Sequence, residues 1–233
     1  MFLTLLRSAS AEETSSAKAA SPVFKKLLET GPDTWIVLIA IVLLAVVLLT
    51  IRKSGRRWNN RMIAFAAISV ALSYVLSCIR LYRMPNGGSI TPASMLPLML
   101  FSACYGIGPG MIAGLVYGLL QCTQGITFIA GIQFLFDYIL AFAMLGLAGL
   151  CSGKKDSLGR LMLCLFIAAF CRFLCHTVAG MYWYFGEYET GESFLVKLWA
   201  SVVYNGSYML PDLVICLLLA IPVHKPVFRI MKG

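Results

Sequence analysis

Residues 35–57 read WIVLIAIVLLAVVLLTIRKSGRR, and this stretch decides the class of fold. The run Trp35–Ile51 is apolar throughout and sits at the short limit for crossing the roughly 30 Å hydrocarbon core of a bilayer. A tryptophan at one end and Arg52, Lys53, Arg56 and Arg57 after the other are an aromatic belt residue and a basic stop. The run therefore reads as an uncleaved membrane anchor. The rest of the chain repeats the theme. Hydrophobic residues make up 60% of its 233 positions and charged residues only 12%. Soluble domains carry about 25% charged residues, so the apolar excess here must face lipid.

Six further apolar segments follow, at about Met62–Tyr82, Ala93–Tyr105, Pro109–Gln121, Ile132–Leu150, Leu161–Tyr182 and Leu198–Val223. The second and third are short and meet at Gly106–Gly110, which predicts a helical hairpin with a tight turn. No two-residue alternation stands above the helical pattern, which excludes a β-barrel. The expected fold is all-α and integral to the membrane. It has a polar tail (1–34) with a short interfacial helix at Val23–Glu29, an extra N-terminal transmembrane helix with its basic loop (35–60), and a six-helix membrane domain (61–233). The Phe2–Leu6 run is too short for a signal-peptide core.

Charge predicts the orientation. The chain carries a formal net charge of +9, with five basic residues in Arg52–Arg61, three in Lys154–Arg160 and three from Lys225 to Lys232. With seven spans all three clusters fall on one face, which should be cytoplasmic, with the N-terminus outside. The same clustering explains the positive charge without nucleic acid, for which no reading motif is present.

The eight cysteines lie in or beside apolar runs, with no C-x-x-C pair and no zinc spacing. Cys171, Cys175 and His176 are the nearest approach to a metal set; small apolar fillers for helix packing are the other reading. No metal or cofactor is expected. Catalytic motifs are also missing: no H-E-x-x-H, no G-x-S-x-G, and no P-loop. Any ATP that drives transport must be hydrolysed by another subunit.

An ionisable group inside a membrane span costs about 2.5–3.5 kcal/mol on insertion scales, so such residues single themselves out. They are Asp137, Arg172, His176 and Asp212, joined by the polar Asn205. Arg172 reads as one half of an ion pair, with Asp212 the candidate partner. Asp137, His176 and Asn205 all fall in the outer halves of their helices. With Tyr138, Trp183, Tyr184, Trp199 and Tyr204 near them in sequence, they outline one outward-facing pocket. A carboxylate, an imidazole, an amide and several π faces suit a small, flat, nitrogen-rich cation.

Several stretches then resemble a known family. They are RMPNGGSITPASMLPLML (83–100), GMIAGLVYGLLQ (110–121), QFLFDY (133–138), AFAMLGLAGL (141–150), RFLCH (172–176) and YNGSY (204–208). In this order and spacing they are similar to the thiamine-specific substrate-binding components of energy-coupling-factor transporters, over about residues 61–223. The resemblance implies a six-helix unit that binds thiamine from outside with high affinity. Such a unit docks on a shared transmembrane scaffold subunit carrying two ATPases, and topples in the bacterial cell membrane to release the vitamin. It implies Asp137 as the acid that meets the ligand, Tyr138 as a stacking ring, His176 and Asn205 as polar contacts, and Trp183 or Tyr184 as an aromatic lid. Gly87, Gly88 and Ser89 would close over the pocket. Ala64, Ala67 and Ala71 would be a smooth face toward the scaffold; packing within the bundle is the other reading of that face.

The chain departs from the family at Ala200, where a tyrosine is usual; Trp199 beside it is the candidate replacement. That departure leaves a thiamine precursor or another heterocyclic vitamin open as cargo. An intramembrane enzyme using His176 and Asp137, and a purely structural membrane subunit, are readings of other classes.

Overall fold

The computed structural model describes residues 32–53, 57–85, 87–125, 131–153, 157–187 and 193–232. Residues 1–31 of the proposed tail, with its interfacial helix at Val23–Glu29, lie outside them, whereas residues 32–34 are helical. The described elements are helices α1 (Pro32–Lys53) and α2 (Asn60–Cys78), then a two-strand hairpin of β1 (Tyr82–Arg83) and β2 (Ser89–Ile90). Helices α3 (Leu96–Tyr105) and α4 (Ile107–Gln121) follow, then a composite helix α5 over 131–151, α6 (Leu158–Glu187) and α7 (Phe194–Lys232). By length and composition Asn60–Cys78, Leu158–Met181 and Phe194–Met231 are long and apolar enough to cross a membrane.

Local chemistry sets the boundaries. Asn59 caps α2 by accepting a hydrogen bond from the Met62 N–H at 2.8 Å. The helix stops at Cys78, short of the expected Tyr82, because Ile79 turns extended. The chain then folds into the hairpin, in which Tyr82 pairs with Ile90 and Arg83 with Ser89. Gly106 separates α3 from α4 with a φ of 100°, a conformation open to glycine and strained for other residues. The hairpin expected at Gly106–Gly110 is therefore present, with its turn on one residue.

Helix α7 runs past the expected end at Val223 to Lys232, with Pro211, Pro222 and Pro226 inside it. Prolines are tolerated in membrane helices where neighbours satisfy the freed carbonyls. The far end is tied down by Arg61, which donates to the Ile230 carbonyl at 2.6 Å, and by the Tyr105 hydroxyl, which donates to the Met231 carbonyl at 2.8 Å. Its 39 residues span about 58 Å, well beyond the hydrocarbon thickness.

The tightest packing joins α4 to α5. Gly110, Gly114 and Gly118 recur every fourth residue and face Gly146, Phe142 and Tyr138, which recur every fourth residue in the opposite direction. A Cβ on Gly114 would overlap the Phe142 carbonyl, and one on Gly118 the Tyr138 carbonyl. This backbone-to-backbone approach accompanies two irregular stretches in α5: a π turn at Leu135–Leu140 and a tight 3-10 stretch at Leu145–Cys151. The 3-10 stretch is longer than the usual three or four residues, and its Gly146 and Gly149 lie against the backbone at Met111 and Gly106.

The apolar core fills one end of the bundle. Phe101, Tyr105, Leu145, Leu165, Cys216 and Phe228 meet there, with Phe65 packed against them. The other end, where α4 finishes, α5 begins and the hairpin crosses, is polar.

Candidate binding site

That polar end holds a cavity of about 370 Å³. Its walls are drawn from α2, the hairpin and the turn after it, α4, α5, α6 and α7. The π turn of α5 supplies Asp137 and Tyr138. A π turn inserts one residue into the helical ladder and re-aims side chains, which is why it recurs at binding sites.

Asp137 is the centre of a bonded chain. Its Oδ1 lies 2.7 Å from His176 Nδ1, and its Oδ2 accepts from Gln133 Nε2 at 3.0 Å. Arg172 Nε donates to His176 Nε2 at 3.2 Å. Arginine has no acceptor, so Nε2 must be the unprotonated nitrogen. Nδ1 then carries the proton and donates it to Asp137, which fixes a neutral imidazole. The Arg172 guanidinium also lies 4.5 Å from the centre of the Phe142 ring, a cation–π distance. Among the described residues Arg172 makes no ion pair with Asp212, contrary to the expected pairing. The reason is positional: one turn of α6 places Arg172 on His176, and Asp212 is held elsewhere.

Asp212 clamps the hairpin. Its Oδ1 accepts from the Thr91 N–H at 3.2 Å and from the Thr91 hydroxyl at 2.8 Å. The Ser94 hydroxyl is also 2.8 Å from Thr91 Oγ1. Thr91 has one hydroxyl proton, and the carboxylate is the stronger acceptor, so Ser94 donates to Thr91. The clamp holds Ala93 at a φ of 62°, a left-handed conformation that costs a residue with a Cβ about 1–2 kcal/mol. Thr91→Val removes one of the two donors to a buried carboxylate. We predict a loss of about 1–3 kcal/mol. It would appear as a melting midpoint lower by several degrees in detergent; an unchanged midpoint would show that the clamp is idle.

On α7, Asn205 is wholly engaged. Its Nδ2 donates to the carbonyls of His176 (3.2 Å) and Ser201 (3.0 Å), and its Oδ1 accepts from the Tyr208 hydroxyl at 2.8 Å. Asn205 thus ties α7 to α6 beside His176. The hairpin closes the same side: the Gly88 N–H donates to the Tyr204 hydroxyl at 3.2 Å, and Gly88 sits on the Tyr208 ring, where a Cβ would come within 2.7 Å.

Of the residues singled out from sequence, Asp137, Tyr138, His176, Tyr204, Asn205, Gly87, Gly88 and Ser89 all line this one cavity. Trp199 does not. It is 69% exposed on the outer surface of α7, nearly opposite the face that carries Ser201, Asn205 and Tyr208. Trp183 and Tyr184 fall within α6, and their side chains lie outside the described residues. Sequence reasoning overlooked Gln133, Gln121, Gln124 and Tyr208 as lining residues. Gln133 and Tyr208 had a signal, since they stand four and three positions from Asp137 and Asn205. Among the described residues no three His, Cys, Asp or Glu side chains converge as a metal set.

Apolar helices enclosing a polar and aromatic cavity define a multi-pass helical membrane protein with a small-molecule binding pocket. The chain belongs to the thiamine transporter protein family (Thia_YuaJ), whose sequence profile matches residues 63–231. It is 29% identical over 181 residues to the thiamine transporter ThiT of Bacillus subtilis (strain 168), covering 72% of this chain and 92% of that one. Its fold is similar to the solved structure of ThiT from Listeria monocytogenes. That match has a TM-score of 0.57 at 23% identity, and covers 72% of this chain and 96% of the other.

Proposed function

We propose that this protein captures thiamine in the cavity around Asp137, with high affinity and from the outer face. It acts as the substrate-binding subunit of an energy-coupling-factor importer, and the ATPases are separate subunits. The observation that carries this reading is the pairing of one carboxylate, held by His176 and Gln133, with the rings of Tyr138, Phe142, Tyr204 and Tyr208 around one enclosed space. Thiamine joins an aminopyrimidine to a thiazolium cation. The carboxylate answers its charge and ring nitrogens, and the aromatic faces stack on both rings. Membership of the family supports the ligand.

Docking on a scaffold has support from α2. Ala64, Ala67 and Ala71 are exposed, so they do not serve packing within the bundle. They form a smooth strip on which another helix can approach closely. Copurification of the chain with a transmembrane scaffold and two ATPases tests this part.

Isothermal titration of the detergent-purified protein with thiamine tests the ligand. Saturable binding near one to one is expected; no heat and no retention of labelled thiamine would sink the reading. A precursor as cargo draws on one observation. Trp199, the candidate replacement for the family tyrosine at Ala200, is turned outward and does not line the cavity. Competition by the isolated pyrimidine and thiazole halves separates the two cargoes. The outward placement also predicts that Trp199→Ala changes thiamine affinity by less than about twofold, as expected for a surface substitution. A tenfold loss would return Trp199 to the site.

A further inference from the structure

The cavity has a second polar end, remote in sequence from Asp137 and His176. It is lined by Arg80, between α2 and β1, and by Arg83 of β1, with Ser77, Gln121 and Gln124 beside them. Gln124 links the group. Its Nε2 donates to the Ser77 hydroxyl at 2.6 Å, and its Oε1 lies 3.4 Å from an Arg80 guanidinium nitrogen. Arg80 and Arg83 are both exposed at the mouth, and among the described residues neither forms an ion pair with a carboxylate.

The charge of the described lining is informative. Among the described residues, three arginines (Arg80, Arg83, Arg172) face two aspartates (Asp137, Asp212), a formal +1 with His176 neutral. Asp212 is spent on Thr91, and Asp137 lies beside Arg172's partner His176. A cationic ligand alone would raise the positive charge of the filled cavity. A ligand that carries its cation toward Asp137 and an anion toward the mouth would lower it.

We propose that Arg80 and Arg83, with Gln124 orienting Arg80, form an oxyanion subsite at the pocket mouth that makes a phosphate monoester of the vitamin the preferred ligand. This rests on the reading of the pocket as a thiamine site and adds a second anchoring point to it. Guanidinium groups meet phosphoryl oxygens with charge-assisted, often bidentate hydrogen bonds. At an exposed mouth each contact is modest and weakened by salt, and two together amount to about a tenfold preference.

The test is calorimetry on the full-length protein with thiamine, thiamine monophosphate and inorganic phosphate. The monophosphate is expected to bind about tenfold tighter than thiamine at low salt, with the ratio shrinking as salt rises. In the Arg80→Gln/Arg83→Gln double variant the ratio should fall to about one, and in Arg80→Lys/Arg83→Lys most of it should survive. Millimolar inorganic phosphate should compete with the monophosphate more strongly than with thiamine. Equal or tighter binding of thiamine by the unsubstituted protein overturns the subsite. So does a ratio unmoved by the double glutamine variant. A preference that disappears in nanodiscs of anionic lipid also overturns it, because the arginines would then be holding lipid headgroups. Thiamine binding without the preference defeats the subsite alone, whereas no binding of either compound defeats the pocket reading itself.

Discussion

Asp137→Asn is expected to weaken thiamine binding by about 100- to 1,000-fold, the cost of removing one partner of a buried, hydrogen-bonded charge pair. The substitution keeps the size and shape of the side chain. The asparagine oxygen can still accept from His176 Nδ1, now at 2.7 Å from Asp137 Oδ1. The other position changes sign: an amide nitrogen would face Gln133 Nε2, donor against donor, where a carboxylate oxygen now accepts at 3.0 Å. More important, the charge is lost. Without it Arg172 is, among the described residues, the charged group left beside His176, and a thiazolium would enter against a cation. Calorimetry with thiamine checks this, with circular dichroism to confirm the fold. An affinity within about threefold of the unsubstituted protein would show that Asp137 does not meet the ligand, and the proposed function would lose its main support.

The same residue shows how much of the site was legible in the sequence. Asp137 and His176 stand out because ionisable groups inside apolar runs are costly, and a chain keeps them for a reason. That they touch is also close to readable, since both fall near the same ends of their helices. What they do with each other is not. The tautomer of His176 depends on Arg172, and Arg172 reads equally well as a partner for Asp212. Only the rotation of α6 against α5 decides, and rotation comes from packing. Trp199 illustrates the limit from the other side. It is six positions from Asn205, and about 100° per residue puts its ring on the far side of the helix from the pocket wall. The spans themselves were legible from apolar runs, whereas their ends were not. The apolar run ends at Val223, yet the carbonyl contacts from Arg61 and Tyr105 hold α7 helical to Lys232.

The glycine series on α4 was in plain view and carried more than a turn. Gly106, Gly110, Gly114 and Gly118 repeat every fourth residue, the spacing that lets two membrane helices bring their backbones together. The structure places the last of them against the Tyr138 carbonyl, inside the π turn that presents Asp137. Gly118→Ala is therefore expected to disturb the pocket from behind. A single methyl group would overlap a backbone carbonyl, and neither helix can yield by moving a side chain. Overpacking of this kind costs about 1–3 kcal/mol and more where backbone must shift. The expected result is a melting midpoint lower by about 5–10 °C in detergent. A loss of thiamine affinity should accompany it, because the shift falls on the segment carrying Asp137 and Tyr138. Gly206→Ala is the comparison: it lies in α7 with nothing within 4 Å of a new Cβ, so the same chemical change should hold or raise the midpoint, since alanine favours helix by about 1 kcal/mol over glycine. Because alanine favours helix over glycine, an equal loss at the two positions would mean that it comes from handling rather than from the α4–α5 contact. A stable Gly118→Ala protein with full affinity would show that α5 can slide on α4 without cost, and the π turn would then owe its position to the ligand pocket alone.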